Sequence, residues 1–142
     1  QIRGTAITFS QWEKTVEMVE QDIKMRKAEG HAFLVAEKDS TVRGFATYAQ
    51  FRGGAGYAHT MEHTVILSPH ARGRGLGRAL IVAIECHARR AGAHSMVAGV
   101  SAENTDGIGF HAALGYEIAA TLPEVGRKFD RWIDLVLMQK RL

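Results

Sequence analysis

Ala71-Arg-Gly-Arg-Gly-Leu-Gly77 stands between two patterned stretches that fix its meaning. Before it, Tyr57 to Ser68 alternates in the period of a β-strand up to Pro69. After it, Arg78 to Ala91 carries Leu80, Ile84 and Ala88 on one helical face, with Gly92 as its stop. The order is strand, glycine turn, helix. Glycines at 73, 75 and 77 let the backbone wrap tightly with N–H groups inward, and the following helix offers its positive dipole end, so an anionic phosphate suits the turn. Arg72, Arg74 and Arg78 add fixed positive charge. The alternative is an ordinary tight connection with solvated arginines; three glycines and three arginines within seven residues favour phosphate.

Outward from this turn the chain reads as alternating elements. Ser10-Gln-Trp-Glu13 has the form of a capping box, followed by Trp12, Val16, Val19 and Ile23 at helical spacing and closed by Gly30. His31 to Lys38 and Val42 to Phe51 read as two antiparallel strands joined at Asp39-Ser40. Arg52-Gly-Gly-Ala-Gly56 reads as a loop. Ser95 to Val100 reads as a strand, Glu103 to Leu114 as a helix ended by Gly115, and Tyr116 to Leu122 and Ile133 to Gln139 as further strands. The expectation is one α/β domain over residues 1–142, without repeats or linkers.

Composition bounds the function. The 142 residues are 46% hydrophobic and 23% charged, in the range of a compact globular domain. Eighteen Lys and Arg against fifteen Asp and Glu give +3, too small a surplus to indicate nucleic acid, and the arginines concentrate at one loop. Apolar runs such as Leu80 to Ile84 fall short of the ~20 residues a membrane span needs. The lone Cys86 excludes an internal disulfide framework and fits the reducing cytoplasm. The seven histidines form no ligand-spaced set, so no metal is expected. The chain opens at Gln1 without an initiator Met, which suggests a missing beginning.

Elimination narrows the phosphate ligand. A dinucleotide fingerprint needs its third glycine where Arg78 stands, and no GKS or GKT of a nucleoside-triphosphate loop occurs. Arg72-Gly-Arg-Gly75-Leu-Gly77 does resemble the Q/R-x-x-G-x-G/A pyrophosphate loop of the GNAT superfamily of acyl-CoA-dependent N-acetyltransferases. Val65-Ile-Leu67, Ala98-Gly-Val-Ser-Ala-Glu-Asn104, His111-Ala-Ala-Leu-Gly115-Tyr116 and Val125-Gly-Arg-Lys-Phe-Asp-Arg-Trp132-Ile-Asp-Leu look like its phosphinothricin and methionine sulfoximine N-acetyltransferase branch, related to L-amino-acid N-acyltransferases. The likeness runs from about Thr5 to the C-terminus, with the first strand and most of the first helix of the family absent.

That resemblance implies a mixed, mostly antiparallel twisted sheet flanked by helices, with acetyl-CoA as co-substrate in the gap between splayed central strands. It implies pyrophosphate binding by Arg72, Gly73, Arg74, Gly75, Leu76, Gly77 and Arg78, and pantetheine binding by the backbone of Val65, Ile66 and Leu67. Asn104 stands where the family reaches the cofactor with a polar side chain, or simply caps the following helix. Glu62 shares a strand face with Thr64 and Ile66, and the family's matching Glu lies in the substrate site, as base or as counter-ion for the ammonium. His111 stands where many relatives have a tyrosine that protonates the departing thiolate; a packed or solvated helix-face histidine is the plainer reading. Arg52 matches an arginine that in the family faces the substrate and pairs with its carboxylate, and the adjoining Gly53 and Gly54, also placed at the substrate, depart from the bulkier residues of some relatives. Phe9, Tyr57, Phe129 and Trp132 are pocket candidates or core, and Lys128 and Arg131 are expected surface charges. A homodimer is implied by the resemblance alone. Rival readings are another acceptor on the same fold (a protein N-terminus, a polyamine or an aminoglycoside), or an acyl-CoA-binding module without catalysis.

Overall fold

The computed structural model describes residues 16–71, 73 and 75–142. The capping box at Ser10–Glu13, together with Phe9, Trp12, Arg72 and Arg74, lies outside the described residues, as do the side chains of Val16 and Val19. The elements are α1 (Val16–Ala28), β1 (Phe33–Lys38), β2 (Thr41–Gln50), β3 (Thr60–Leu67), α2 (Leu76–Arg90), β4 (Ser95–Ser101), α3 (Thr105–Ala113), β5 (Glu117–Lys128) and β6 (Arg131–Arg141). Six strands form one sheet in the order β1-β2-β3-β4-β6-β5. The mixed α/β, mostly antiparallel expectation holds. Among the described residues two compact units divide the chain, one of Val19–Met96 with Arg141–Leu142, the other built around Val97–Lys140.

In the first of these units β1, β2 and β3 run antiparallel in turn. The β1–β2 turn holds Asp39 and Ser40 at φ 53° and 59°, the positive sign at both central residues that a type I′ hairpin requires. On one face of β2 and β3, Tyr48 stands opposite His63, and Tyr48 reaches α2 through a 2.7 Å hydrogen bond between its hydroxyl and His87 Nδ1. Helix α2 turns Leu80, Ile84 and Ala88 inward, as its spacing predicts, and buries Ile81 with them. The opposite face of β3 carries Glu62, Thr64 and Ile66, beside Ala49, Thr47 and Phe45 of β2. Tyr57 belongs to a short 3-10 turn (Ala55–Tyr57) rather than to β3, because Phe51 N–H donates to Thr60 O and closes a loop between them.

Among the described residues α1, α2 and α3 each end on a glycine at positive φ: Gly30, Gly92 and Gly115. Each is followed by an N–H that reaches back to a carbonyl in the last turn, as in His31 to Arg26, Ala93 to Ala88 and Tyr116 to His111. In the unit that carries α3, β5 and β6 form a hairpin whose turn residues Phe129 and Asp130 both sit at φ 56°. These strands run longer than their sequence suggests. Pro123 and Gly126 look like strand ends, yet a register shift between Leu122 and Gly126 absorbs them and pairing resumes at Gly126 and Ile133. The same pairing corrects Lys128, which is 2% exposed instead of lying on the surface. It alternates with Gly126 onto the inward face of β5.

Candidate active site

Helix α2 begins at Leu76, inside the glycine motif rather than after it. Its N-cap, Gly75, has φ 77° in the left-handed region, and among the described residues no side chain caps the first turn. That turn also holds no acid. The first N–H groups of a helix have no intrahelical partner, so those of Leu76, Gly77 and Arg78 present uncompensated donors at the positive end of the dipole. Gly73 has φ 74°, and a Cβ built on it or on Gly75 would meet nothing within 4 Å. Among the described residues nothing fills the space over the backbone at Gly73 and Gly75, which suits a pyrophosphate approaching closely. Leu76 is half-buried, Gly77 buried and Arg78 exposed.

Glu62 is half-buried on β3, and Ala49 is its cross-strand neighbour. Burial pushes its carboxyl pKa up from the ordinary carboxylate value. A carboxylate partly withdrawn from water, with a raised proton affinity, is suited to hold or receive a proton. Further along the strand Val65, Ile66 and Leu67 are half-buried and pair with Ala46, Phe45 and Gly44.

Arg52 lies in the loop closed by Phe51 and Thr60, at the same end of the β2–β3 hairpin as Glu62. Its guanidinium sits 5.2 Å from the centre of the Tyr57 ring. Gln50 holds the loop: its Nε2 donates to the carbonyls of Arg52 and Gly54, both at 2.7 Å. Gln50 escaped the sequence reading, although a polar residue at a strand end beside a glycine loop is a signal for such a clamp. Gly53 is exposed, and Gly54 adopts φ 110°, a conformation open mainly to glycine. Tyr57, 44% exposed, belongs with Arg52 and not with the core.

In the other unit Asn104 caps α3. Its Oδ1 accepts from Gly107 N–H at 2.9 Å, so the capping reading is correct and Nδ2 remains a possible donor to a ligand. His111 lies in the last turn of α3, buried, with Nδ1 2.7 Å from Gly107 O. The rings of Phe110 and Tyr116 meet the imidazole edge-on at 5.1 and 5.4 Å. Arg131 is exposed, and its Nη1 and Nη2 both donate to the carboxylate of Glu103. Phe129 and Trp132 are each more than half exposed on the β5–β6 hairpin, so neither belongs to the core.

A family model described as acetyltransferase (GNAT) domain matches residues 2–137. A curated relative, the L-methionine sulfoximine/L-methionine sulfone acetyltransferase of Salmonella typhimurium, is 41% identical over 82% of this chain and 68% of its own. Among solved structures, a ribosomal-protein-alanine N-acetyltransferase from Brucella melitensis is 36% identical with a TM-score of 0.95, covering 99% of this chain and 87% of that one. An acetyltransferase from Salmonella typhimurium with its cofactor acetyl-CoA is 35% identical with a TM-score of 0.94, covering 99% and 82%. The uncapped glycine turn before α2 and the half-buried carboxylate on the strand before it thus sit in a chain that belongs to the GNAT acetyltransferase family, and the protein is an acetyl-CoA-dependent N-acyltransferase.

Proposed function

We propose that the acceptor is a small free L-amino acid or an analogue of the methionine sulfoximine, methionine sulfone or phosphinothricin type. One observation carries this reading: Arg52 and Glu62 stand at the same end of the β2–β3 hairpin. A free α-amino acid brings a carboxylate and an ammonium a few ångströms apart, and a guanidinium with a carboxylate answers both. The phosphate turn follows the other end of β3. From Glu62 to Leu67 the strand spans about 17 Å at ~3.3 Å per residue, room for an extended pantetheine arm between the pyrophosphate and the amine.

Acetyl-CoA supplies an acetyl group activated as a thioester. Gly73 through Arg78 hold its pyrophosphate, with Arg72 and Arg74 as added charge, and the backbone of Val65, Ile66 and Leu67 lies along its arm. Asn104 adds its amide nitrogen. Glu62, directly or through a water, takes one proton from the arriving ammonium. The amine nitrogen then bonds to the acetyl carbon as the carbon–sulfur bond breaks. A main-chain N–H of β3 stabilises the oxygen's developing charge. His111 serves the remaining proton, which passes from nitrogen to sulfur.

Arg52→Ala is expected to raise KM for an amino-acid acceptor by roughly tenfold or more, the loss typical of a charged hydrogen bond. A decarboxylated acceptor should be nearly insensitive, as read from initial rates of thiol release. Equal losses for both would make Arg52 structural. A second acceptor, the N-terminus of a protein, is favoured by the name of the Brucella melitensis neighbour; a peptide lacks the adjacent carboxylate, so in that case Arg52→Ala changes little.

The chain works as a homodimer in the cytoplasm in this reading. Strand β5 lies at the sheet edge with Ile118, Leu122 and Val125 exposed, and Phe129 and Trp132 extend the apolar surface around the turn. An apolar edge of this kind calls for a partner, here a second copy. Light scattering should give twice the monomer mass for the wild type and the monomer mass for Trp132→Asp; a monomeric wild type would remove the dimer. Cys86, partly exposed and outside any disulfide, suits a reducing compartment.

A further inference from the structure

We infer that Asn104, Gly107 and His111 act as one device within α3 that locks His111 as its Nδ1–H tautomer, with Gly107 as the positioning residue that makes the lock possible. Both ends of the Gly107 residue are engaged by side chains. Its N–H donates to Asn104 Oδ1 at 2.9 Å, and its carbonyl lies 2.7 Å from His111 Nδ1. A carbonyl oxygen carries no proton, so Nδ1 is the donor. Neutral His111 therefore has its lone pair on Nε2, and any proton the ring exchanges passes through Nε2. The edge-on contacts with Phe110 and Tyr116 fix the ring plane.

Space, and not backbone freedom, explains the glycine. Gly107 is absent from the positive-φ residues and sits in a helix, where glycine costs about 1 kcal/mol relative to alanine. A Cβ at this position would run into the Asn104 carboxamide, whose Cγ would be 2.8 Å away. Gly109, in the same helix, has nothing within 4 Å of such a Cβ. Only Gly107 is required by the folded-back Asn104 side chain.

The lock deepens the functional reading above and rests on it for the proton's route. A neutral imidazole with its lone pair on Nε2 accepts a proton before it can donate one. His111 takes the second proton from the nitrogen that has bonded to the acetyl carbon, becomes imidazolium, and returns the same proton from Nε2 to the departing sulfur. Together with the proton taken by Glu62, the ammonium has lost two protons, the thiol has gained one, and His111 ends neutral as it began. This replaces a histidine that enters as an acid donor.

The test is ¹⁵N-histidine labelling of the whole chain, with long-range ¹H–¹⁵N correlation at a pH where His111 is neutral and its signals assigned by their loss in His111→Gln. The wild type is expected to show the Nδ1–H tautomer. Gly107→Ala should convert His111 to the other tautomer or a mixture and lower kcat at saturating acetyl-CoA at least tenfold, within the range of acid–base contributions. Gly109→Ala should do neither. Asn104→Ser combined with Gly107→Ala keeps a capping oxygen and frees the space, so it should restore the Nδ1–H tautomer. An Nε2–H tautomer in the wild type would overturn the inference, as would a Gly107→Ala protein that keeps the Nδ1–H form and full kcat. If Gly107→Ala does not fold, the wild type and the double variant still decide. Full turnover by His111→Gln would remove the proton route, whereas a wild type without acetyl transfer but with the Nδ1–H tautomer would count against the functional reading and not against the lock.

Discussion

Glu62→Gln is expected to lower kcat/KM for the amine by about 10² to 10⁴-fold, the range of general acid–base contributions, with acetyl-CoA affinity unchanged. The substitution keeps the shape of the β3 side chain that stands opposite Ala49 of β2 and removes both the base and the charge that meets the ammonium. Burial raises the Glu62 pKa, so the acid limb of the wild-type kcat/KM profile should lie above the ordinary carboxylate range and disappear in the variant. The same shift sets the sign for stability. A carboxyl whose folded pKa is raised imposes its penalty above that pKa and none below the unfolded one, so ionised Glu62 weakens the fold at neutral pH. Glu62→Gln should therefore melt no lower than the wild type at pH 7, which separates lost chemistry from lost folding. Near-normal kcat/KM in a folded variant would return Glu62 to a structural role and leave His111 as the only proton carrier named.

Gly75→Asn should weaken acetyl-CoA binding by roughly 10- to 100-fold, the value of one charge-assisted hydrogen bond to phosphate. Asparagine tolerates the left-handed region that Gly75 occupies at φ 77°, whereas a β-branched residue such as valine would be strained there before any ligand arrived. With nothing within 4 Å of the added Cβ, the protein itself can accommodate the side chain. The cost then falls on the ligand that needs the N–H groups of Leu76, Gly77 and Arg78. Calorimetry with coenzyme A on a variant of unchanged melting temperature reads this directly; unchanged affinity would place the pyrophosphate elsewhere.

What the sequence discloses depends on whether the cause is local. Gly30, Gly92 and Gly115 are legible as helix stops because the left-handed residue and its back-reaching N–H need only a few neighbouring residues. Asp39-Ser40 is legible as a hairpin turn for the same reason, while Phe129-Asp130 is not, since phenylalanine seldom occupies a positive-φ turn position and the pairing of β5 with β6 imposes it. The start of α2 at Leu76 is hidden by glycines that read as loop. Lys128 reads as a surface charge until the register past the bulge puts it on the inward face with Gly126.

The candidate site divides in the same way. Gly73, Gly75, Glu62 and Arg52 can be picked out from spacing, residue type and resemblance. The clamp from Gln50 to the Arg52 loop, the raised pKa of Glu62 and the tautomer of His111 depend on burial and on partners fixed only by the fold. Asn104 had two readings, and a 2.9 Å bond to Gly107 N–H supports the cap without using the amide nitrogen.

Thiol release from acetyl-CoA, followed for the wild-type chain with methionine sulfone, methionine sulfoximine and phosphinothricin beside an alanine-terminated peptide and a polyamine, tests the acceptor most directly. The account predicts turnover with the free amino-acid analogues, with mass spectrometry placing one acetyl group on their α-nitrogen, and at most slow release with the peptide and the polyamine. Turnover with the peptide or the polyamine alone would contradict it.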